Sequence, residues 1–350
     1  MLCNKLMNKI GSNPVFIFPS KIVGGHELMT LEIIKDLKLL NVSVTVVCNI
    51  INIRLRELLI DLDVPIIDSP FDQPRFEVFH AFFNTEILNK AKKILKELNT
   101  IHSSIILAQG DIELGSIYIR AANLEKIEII SYIPYTHSSQ LMGKKISFLR
   151  DILNLKLYKL NNNYITIYND AEAKLRLFNS NANVYILRNK VRNLEVFNNK
   201  REEFFKNNKN EFMRIFVIGR LFVKHKGHDR LIKSLSLMPE NIIKKIELNI
   251  VGDGPDFKFI EKTLKQRCPT LKVIFHGWHS EPWELAYTAD LLVIPSRFEG
   301  VPLVMLEALE LNIDVVATAR DGMLDYLPKE NLFLNECELA HLIEIRATKN

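Results

Sequence analysis

The chain has 350 residues, 47% of them hydrophobic and 25% charged, with a formal net charge of +5. That length exceeds what one hydrophobic core usually serves, so two domains are expected, and the composition excludes a disordered or fibrous chain. No apolar run approaches the roughly 18 residues of a membrane span, and the scattered Cys3, Cys48, Cys268 and Cys337 argue against a disulfide framework or a zinc site and suit a reducing cytoplasm.

The opening "MLCNKLMNKIGSNP" is basic but has no apolar centre, so no secretory signal is expected. Short β-branched runs then alternate with segments of helical period. In the first half the strands are "VFIF" (15–18), "SVTVVC" (43–48), "SIILA" (104–108), "IEIISYI" (127–133) and "YITIY" (164–168), with helices between them such as 26–40 and 84–98. Apolar runs without strict alternation suit strands covered on both faces. A glycine pair in "VGGHE" (23–27) joins the first strand to the first helix, where backbone N–H groups can approach a phosphate. A tight βα turn needs glycine in any case. "DLD" (61–63), the sole Asp-x-Asp, falls between a helix and a "VPII" strand and reads as a loop rather than a metal site.

Residues 141–195 carry 10 basic against 4 acidic side chains, a local excess that favours an anionic partner or is simply a solvated face. Within it, "MGKKISFLRDILNLKLYKL" (142–160) interleaves Lys144, Lys145, Arg150, Lys156 and Lys159 with Ile146, Phe148, Leu149, Ile152, Leu153, Leu155, Leu157 and Leu160. As a helix it either lies on an anionic membrane surface or packs in a core with a basic edge.

Residues 193–212 are polar, rich in Asn and Lys and weakly periodic. The expected organisation is therefore a first domain over 1–195, a linker over 196–211 and a second domain over 212–350. Strands return in the second half as "RIFVIG" (214–219), "IELNIVG" (246–252), "KVIFHG" (272–277), "ADLLVIP" (289–295) and "DVVAT" (314–318). The βαβ grammar appears twice, which predicts an α/β fold of two Rossmann-like parallel-sheet domains facing each other across a cleft. Ligands of such sheets bind outside the carboxyl ends of the strands.

In "IGRLFVKHKGHD" (218–229) a strand ends at Gly219 and is followed by Arg220 and then Lys226-Gly227 at a helix start. A guanidinium fork and an ammonium near a helix N-terminus suit a pyrophosphate, although two solvated loop residues would have the same spacing. "VGDGP" (251–255) has Phe257 where a dinucleotide fingerprint needs a third glycine, and reads as a turn and helix start. In "PSRFEGVPLVMLEALE" (295–310) Glu299 lies in a loop, and Glu307 falls in the second turn of a helix starting near Pro302. The two carboxylates could hold points about 10 Å apart on one ligand, or be a capping residue and a surface residue.

The ordered set "GR…KG", "VGDGP", "FHGW", "ADLLVIPSRFEGVPLVMLEALE" and "VVATARDG" strongly resembles the donor half of glycosyltransferase family 4, retaining nucleotide-sugar transferases of GT-B fold. It is specific over about 212–328 and weaker over the first half, where Gly-Gly and "SYIPYTHSS" (131–139) keep the family order. The resemblance implies that Arg220 and Lys226 grip the donor diphosphate and that Gly300 and Val301 offer it backbone N–H groups. Glu299 would contact the donor sugar, Glu307 the ribose, Gly25 the diphosphate from the first domain, and His137 the donor sugar. It implies retaining transfer of a hexose from a nucleotide sugar, a UDP-sugar expected, to a saccharide or lipid-linked acceptor. The leaving phosphate would take the acceptor's proton, and neither metal nor cofactor is called for. Catalysis would rest on Glu299, His137, Arg220 and Lys226. The relevant partners are the nucleotide sugar and the acceptor, with peripheral contact to an anionic membrane and no nucleic acid. The corresponding place is the cytoplasm, at the inner face of the membrane.

Family members end with a helix crossing back onto the first domain, whereas only "CELAHLIEIRATKN" (337–350) follows the donor motifs here. Two other readings stay open: a nucleotide-sugar epimerase or phosphorylase-like enzyme on a related fold, the latter lacking an identifiable pyridoxal lysine, and a binding protein without turnover.

Overall fold

The computed structural model describes residues 4–208 and 211–349; Cys3 and residues 209–210 of the expected linker lie outside them. Two compact units result, Met1–Lys190 and Val191–Asn350.

The first unit holds β1 (Pro14–Phe18), β2 (Thr45–Cys48), β3 (Ile66–Asp68), β4 (Ser104–Ala108), β5 (Ile130–Tyr132), β6 (Asn163–Thr166) and β7 (Asn183–Ile186). They form one sheet in the order β3-β2-β1-β4-β5-β6-β7, every neighbouring pair parallel. The second unit holds β8 (Met213–Ile218), β9 (Ile246–Val251), β10 (Lys272–Gly277), β11 (Leu291–Ile294), β12 (Asp314–Thr318) and β13 (Leu332–Phe333). Their order is β10-β9-β8-β11-β12-β13, again all parallel. β1 and β11 are buried along their whole length, as strands covered on both faces must be. Val15, Ile17, Ile105 and Leu107 centre one core, and Ile215, Leu248, Leu291 and Val293 centre the other.

β7 and β13 were not anticipated. Both are edge strands, one partly exposed and the other two residues long, so neither carries the continuous apolar run that marks a central strand.

The expected linker is corrected more substantially. Glu195–Asn207 is a helix, and the units divide at Lys190–Val191 rather than at 195. The helix buries none of its residues, so it lacks the apolar period that announces a helix. It is fastened to the second unit by Arg201, which donates to the carbonyls of Tyr287 and Ala289 at 2.9 and 2.6 Å, and by the Phe204 ring set edge-on to Tyr287.

The helix Ser147–Leu160 packs Leu153, Leu157 and Tyr158 inward and leaves Phe148, Leu149, Ile152 and Leu155 in solvent. Its basic edge differs from the expected one. Lys144 and Arg150 turn inward to Asp111 and Glu113, while Lys145, Lys156 and Lys159 remain exposed. The final helix, Glu336–Lys349, buries Leu339, Ala340, Ile343 and Ala347 in the second unit's own core. Among the described residues no helix is long and apolar enough to cross a membrane.

Each sheet changes direction of strand order at one place, between β1 and β4 and between β8 and β11. Such switch points are where open α/β sheets bind ligands.

Candidate functional site

In the second unit the loop after β8 turns at Gly219, whose φ of +146° favours glycine. It lies against the loop after β9 backbone to backbone. A Cβ on Gly252 would meet the Gly219 carbonyl oxygen at 2.0 Å, and one on Gly254 the Leu221 carbonyl oxygen at 2.4 Å. The two glycines of "VGDGP" therefore serve close approach of two loops, ahead of a helix that begins at Phe257. Gly219, Arg220, Gly252, Asp253, Trp278 and His279 line a cavity of about 390 Å³. Arg220 is exposed there, its guanidinium 6.0 Å from the Phe222 ring centroid.

The short helix Val223–Lys226 ends at Gly227, φ +67°, which is pressed against the end of β11: a Cβ there would meet the Pro295 carbonyl oxygen at 2.1 Å. Arg297 seals this contact, donating to the Val223 carbonyl and to both oxygens of Asp229 at 2.6–2.7 Å. The His225 ring stacks on Phe298 at 4.2 Å.

That packing delivers Lys226 Nζ to Glu299 Oε1 at 2.6 Å, where the Ser296 hydroxyl also donates at 2.8 Å. Burial pushes the Glu299 carboxyl up, but the charges of Lys226 and His225 and the hydrogen bonds from Lys226 and Ser296 outweigh it and hold the group below the ordinary carboxylate range. On the other side the loop is held by Asp321, which accepts from Glu299 N–H at 3.0 Å, and by Gly322 N–H donating to the Gly300 carbonyl at 2.9 Å. Val301 is buried, and the helix Leu303–Glu310 follows Pro302 as the sequence predicts.

Glu307 stands in the second turn of that helix. Its Oε2 accepts from Trp283 Nε1 and its Oε1 from Arg192 Nε, both at 2.8 Å. Arg192 also forks onto Glu281. Each Glu307 oxygen keeps a second lone pair for a ligand hydroxyl.

In the first unit, Gly25 is the exposed first residue of the helix Gly25–Leu39, after β1. The preceding Gly24 N–H is already taken by Glu27 Oε2 at 2.8 Å. His26 packs on Tyr132 at 4.6 Å, and burial pushes its imidazole down to about 3. His137 is buried in the loop after β5, its ring 5.4 Å from that of Tyr135.

The structure thus joins Lys226 to Glu299, with Gly300 and Val301 in the same loop, and sets Arg220 on the adjoining cavity. Glu307 has separate partners, while Gly25 and His137 belong to the first unit. Ser296, His225 and Asp321 were missed although they sit inside the motifs; only their contacts with Glu299 distinguish them. Arg192 gave no signal, its partner being 115 residues away.

Residues 199–338 match the family described as "Glycosyl transferases group 1". Protein CapJ of Staphylococcus aureus is 29% identical over 215 residues, covering 59% of this chain and 52% of that protein. A lipopolysaccharide 1,6-galactosyltransferase of Salmonella typhimurium is 30% identical over 105 residues, covering 29% of this chain and 28% of that enzyme. The chain thus spans about half the length of the first relative and less of the second. The crystal structure of Anabaena Alr3699/HepE in complex with UDP superposes with a TM-score of 0.71 at 16% identity, over 95% of this chain and 89% of that one. At that identity the likeness shows the fold: two Rossmann-like domains of GT-B type.

Proposed function

We propose that this chain transfers a hexose from a nucleotide sugar, a UDP-sugar, to a hydroxyl of a saccharide or lipid-linked saccharide, with retention of configuration and without a metal ion. The observation that carries the reading is the largely buried Glu299 carboxylate, held ionised by Lys226 beside the phosphate-suited loop after β8. The group 1 match over 199–338 and the UDP complex of the structural relative support it.

An ionised Glu299 accepts hydrogen bonds from sugar hydroxyls, and Lys226 supplies a positive charge where the leaving diphosphate gains a negative one. Arg220 adds a planar fork of donors from the cavity rim, with Gly300, Val301 and Gly25 giving backbone N–H groups to the phosphates. Glu307, oriented by Trp283 and Arg192, takes the ribose hydroxyls, and His137 the donor sugar. Catalysis of this kind is positioning and electrostatic stabilisation. The leaving phosphate accepts the acceptor's proton, so no side-chain nucleophile takes part.

The outward face of Ser147–Leu160 supports peripheral contact with an anionic membrane, on the cytoplasmic side where nucleotide sugars are found. Phe148 is 75% and Leu149 51% exposed, flanked by Lys145, Lys156 and Lys159. The test of the transferase reading is release of UDP from a panel of UDP-sugars with and without crude-membrane acceptor. Acceptor-dependent release with one sugar supports it; epimerisation without transfer, or binding without turnover, overturns it.

A further inference from the structure

We propose that the first unit binds an anionic group, a phosphate or carboxylate carried on a saccharide, in the cavity of about 580 Å³ lined by Lys21 and Arg75 at the carboxyl ends of β1, β3 and β4. Calling this group part of the acceptor rests on the transferase reading; the cavity's preference for an anion does not.

The argument is one of charge. Four cations and three carboxyl groups line the cavity, and most of them already serve each other. Lys144 Nζ lies 2.5 Å from Asp111 Oδ2 and 2.8 Å from Glu113 Oε2, and Arg150 forks onto both oxygens of Glu113. Asp111 Oδ1 accepts the N–H groups of Glu113 and Leu114 at 2.9 and 3.1 Å. These four side chains form a closed, neutral floor that offers little to a cation. The third carboxyl, Glu77, is buried and accepts from the N–H groups of Gly115 and Ile117 at 3.1 and 3.4 Å. Burial pushes it up to about 8, which leaves it largely uncharged at neutral pH.

Lys21 and Arg75 remain, and among the described residues neither has a carboxylate partner. Lys21 is carried by a turn anchored at Ser20: Ser20 Oγ donates to the Ile22 carbonyl at 2.7 Å, and the buried Asn52 donates to the Ser20 carbonyl at 3.0 Å. The Arg75 guanidinium lies over the Phe76 ring, 4.9 Å from its centroid, a stacking that leaves the in-plane N–H donors open. Phe76 has φ +57°, a left-handed conformation that a bulky residue rarely adopts. Two uncompensated cations over a neutral floor in a concave wall focus a positive potential on whatever enters. The polar floor suits hydroxyls, so an anion borne on a saccharide fits better than a bare ion.

Calorimetry on protein saturated with UDP, so that the second unit's phosphate site is filled, tests this with glucose 6-phosphate, glucuronic acid and glucose as probes. The expected result is binding of at least one charged sugar and none of glucose at the same concentration; which one binds identifies phosphate or carboxylate as the group recognised. Lys21→Ser with Arg75→Ser should weaken that binding about tenfold or more for each lost charge-assisted bond while UDP binding is unchanged. Lys21→Arg with Arg75→Lys should restore it, which a folding defect would not allow. Equal binding of all three sugars, no binding of any, or an unaltered affinity in the double serine variant overturns the proposal. Failure of UDP itself to bind would instead sink the transferase reading, and the same titrations without UDP would still read the cavity.

Discussion

Lys226 Nζ lies 2.6 Å from Glu299 Oε1 and so ties the loop after β8 to the loop after β11. Glu299 is 11% and Lys226 23% exposed, so the pair is poorly screened and its loss should be felt in both stability and binding. Lys226→Ala should destabilise the protein by about 2 kcal/mol, less than the roughly 3–5 kcal/mol for breaking a fully buried pair because Lys226 reaches solvent. Urea denaturation measures this. The same change should weaken UDP about tenfold or more and leave uridine nearly unaffected. Arg220→Ala should weaken UDP likewise without a stability change, since Arg220 is exposed. Equal losses for UDP and uridine would show that these residues do not hold the diphosphate.

The two glutamates should separate by substrate portion. Glu299→Gln should leave UDP binding nearly intact and cut turnover strongly, as its proposed role at the transferred sugar requires. Glu307→Ala would strand Trp283 Nε1 and Arg192, so the cleaner variant is Glu307→Gln, whose amide oxygen can still accept from Trp283. It should lose UDP affinity, with thermal unfolding little changed. Abolition of UDP binding by Glu299→Gln would reverse the two assignments.

Gly227 places Lys226, and the space beside it is closed by the Pro295 carbonyl oxygen, 2.1 Å from where a Cβ would stand. With φ at +67° as well, Gly227→Ala should destabilise by well over ~1 kcal/mol. It should also weaken UDP although it removes no ligand-binding side chain. Wild-type stability and affinity in this variant would mean that the turn does not set the lysine.

What could be read from the sequence follows from where each signal resides. β1, β8 and β11 announce themselves because burial on both faces demands unbroken apolar runs. The loop that carries Glu299 and the start of the helix that carries Glu307 were legible because the glycine turn and Pro302 are local. The helix Glu195–Asn207 was not, since it is held by Arg201 and Phe204 reaching residues distant in sequence rather than by an apolar stripe. Lys144 and Arg150 looked like surface charges because their partners, Asp111 and Glu113, lie more than 30 positions earlier. Interactions closed by tertiary packing leave no periodic trace.

Stability should fall between pH 6.5 and 8 because of Glu77. Its folded-state pKa is raised from about 4.5 to about 8, so the folded state holds a proton that the unfolded state has already released. The stabilisation is full below 4.5 and is lost as the pH rises through 8. Buried neutral His26 and His228, pushed down to about 3 and about 4, act oppositely and only below their unfolded value near 6.5. Burial also pushes the Glu27 carboxyl up, so the slope between 6.5 and 8 is assigned by substituting Glu77 itself. Glu77→Gln, which resembles the protonated carboxyl, should flatten the urea midpoint across that window; an unchanged slope would assign it to another group.

The exposed face of Ser147–Leu160 gives the membrane reading its own test. Two properties must act together there, insertion of Phe148, Leu149, Ile152 and Leu155 and attraction of Lys145, Lys156 and Lys159 to anionic headgroups. Each lysine near such a surface contributes about 1 kcal/mol, a term that salt screens, whereas the apolar term is not screened. Changing the three lysines to Ser should therefore reduce co-sedimentation with phosphatidylserine-containing vesicles mainly at low salt. Phe148→Ser with Leu149→Ser should reduce it at every salt concentration. Neither set touches Lys144 or Arg150, whose ion pairs with Asp111 and Glu113 belong to the fold, so UDP binding should be unchanged in both. Wild-type protein that ignores these vesicles at low salt would leave the face without a membrane role and point to an acceptor in solution.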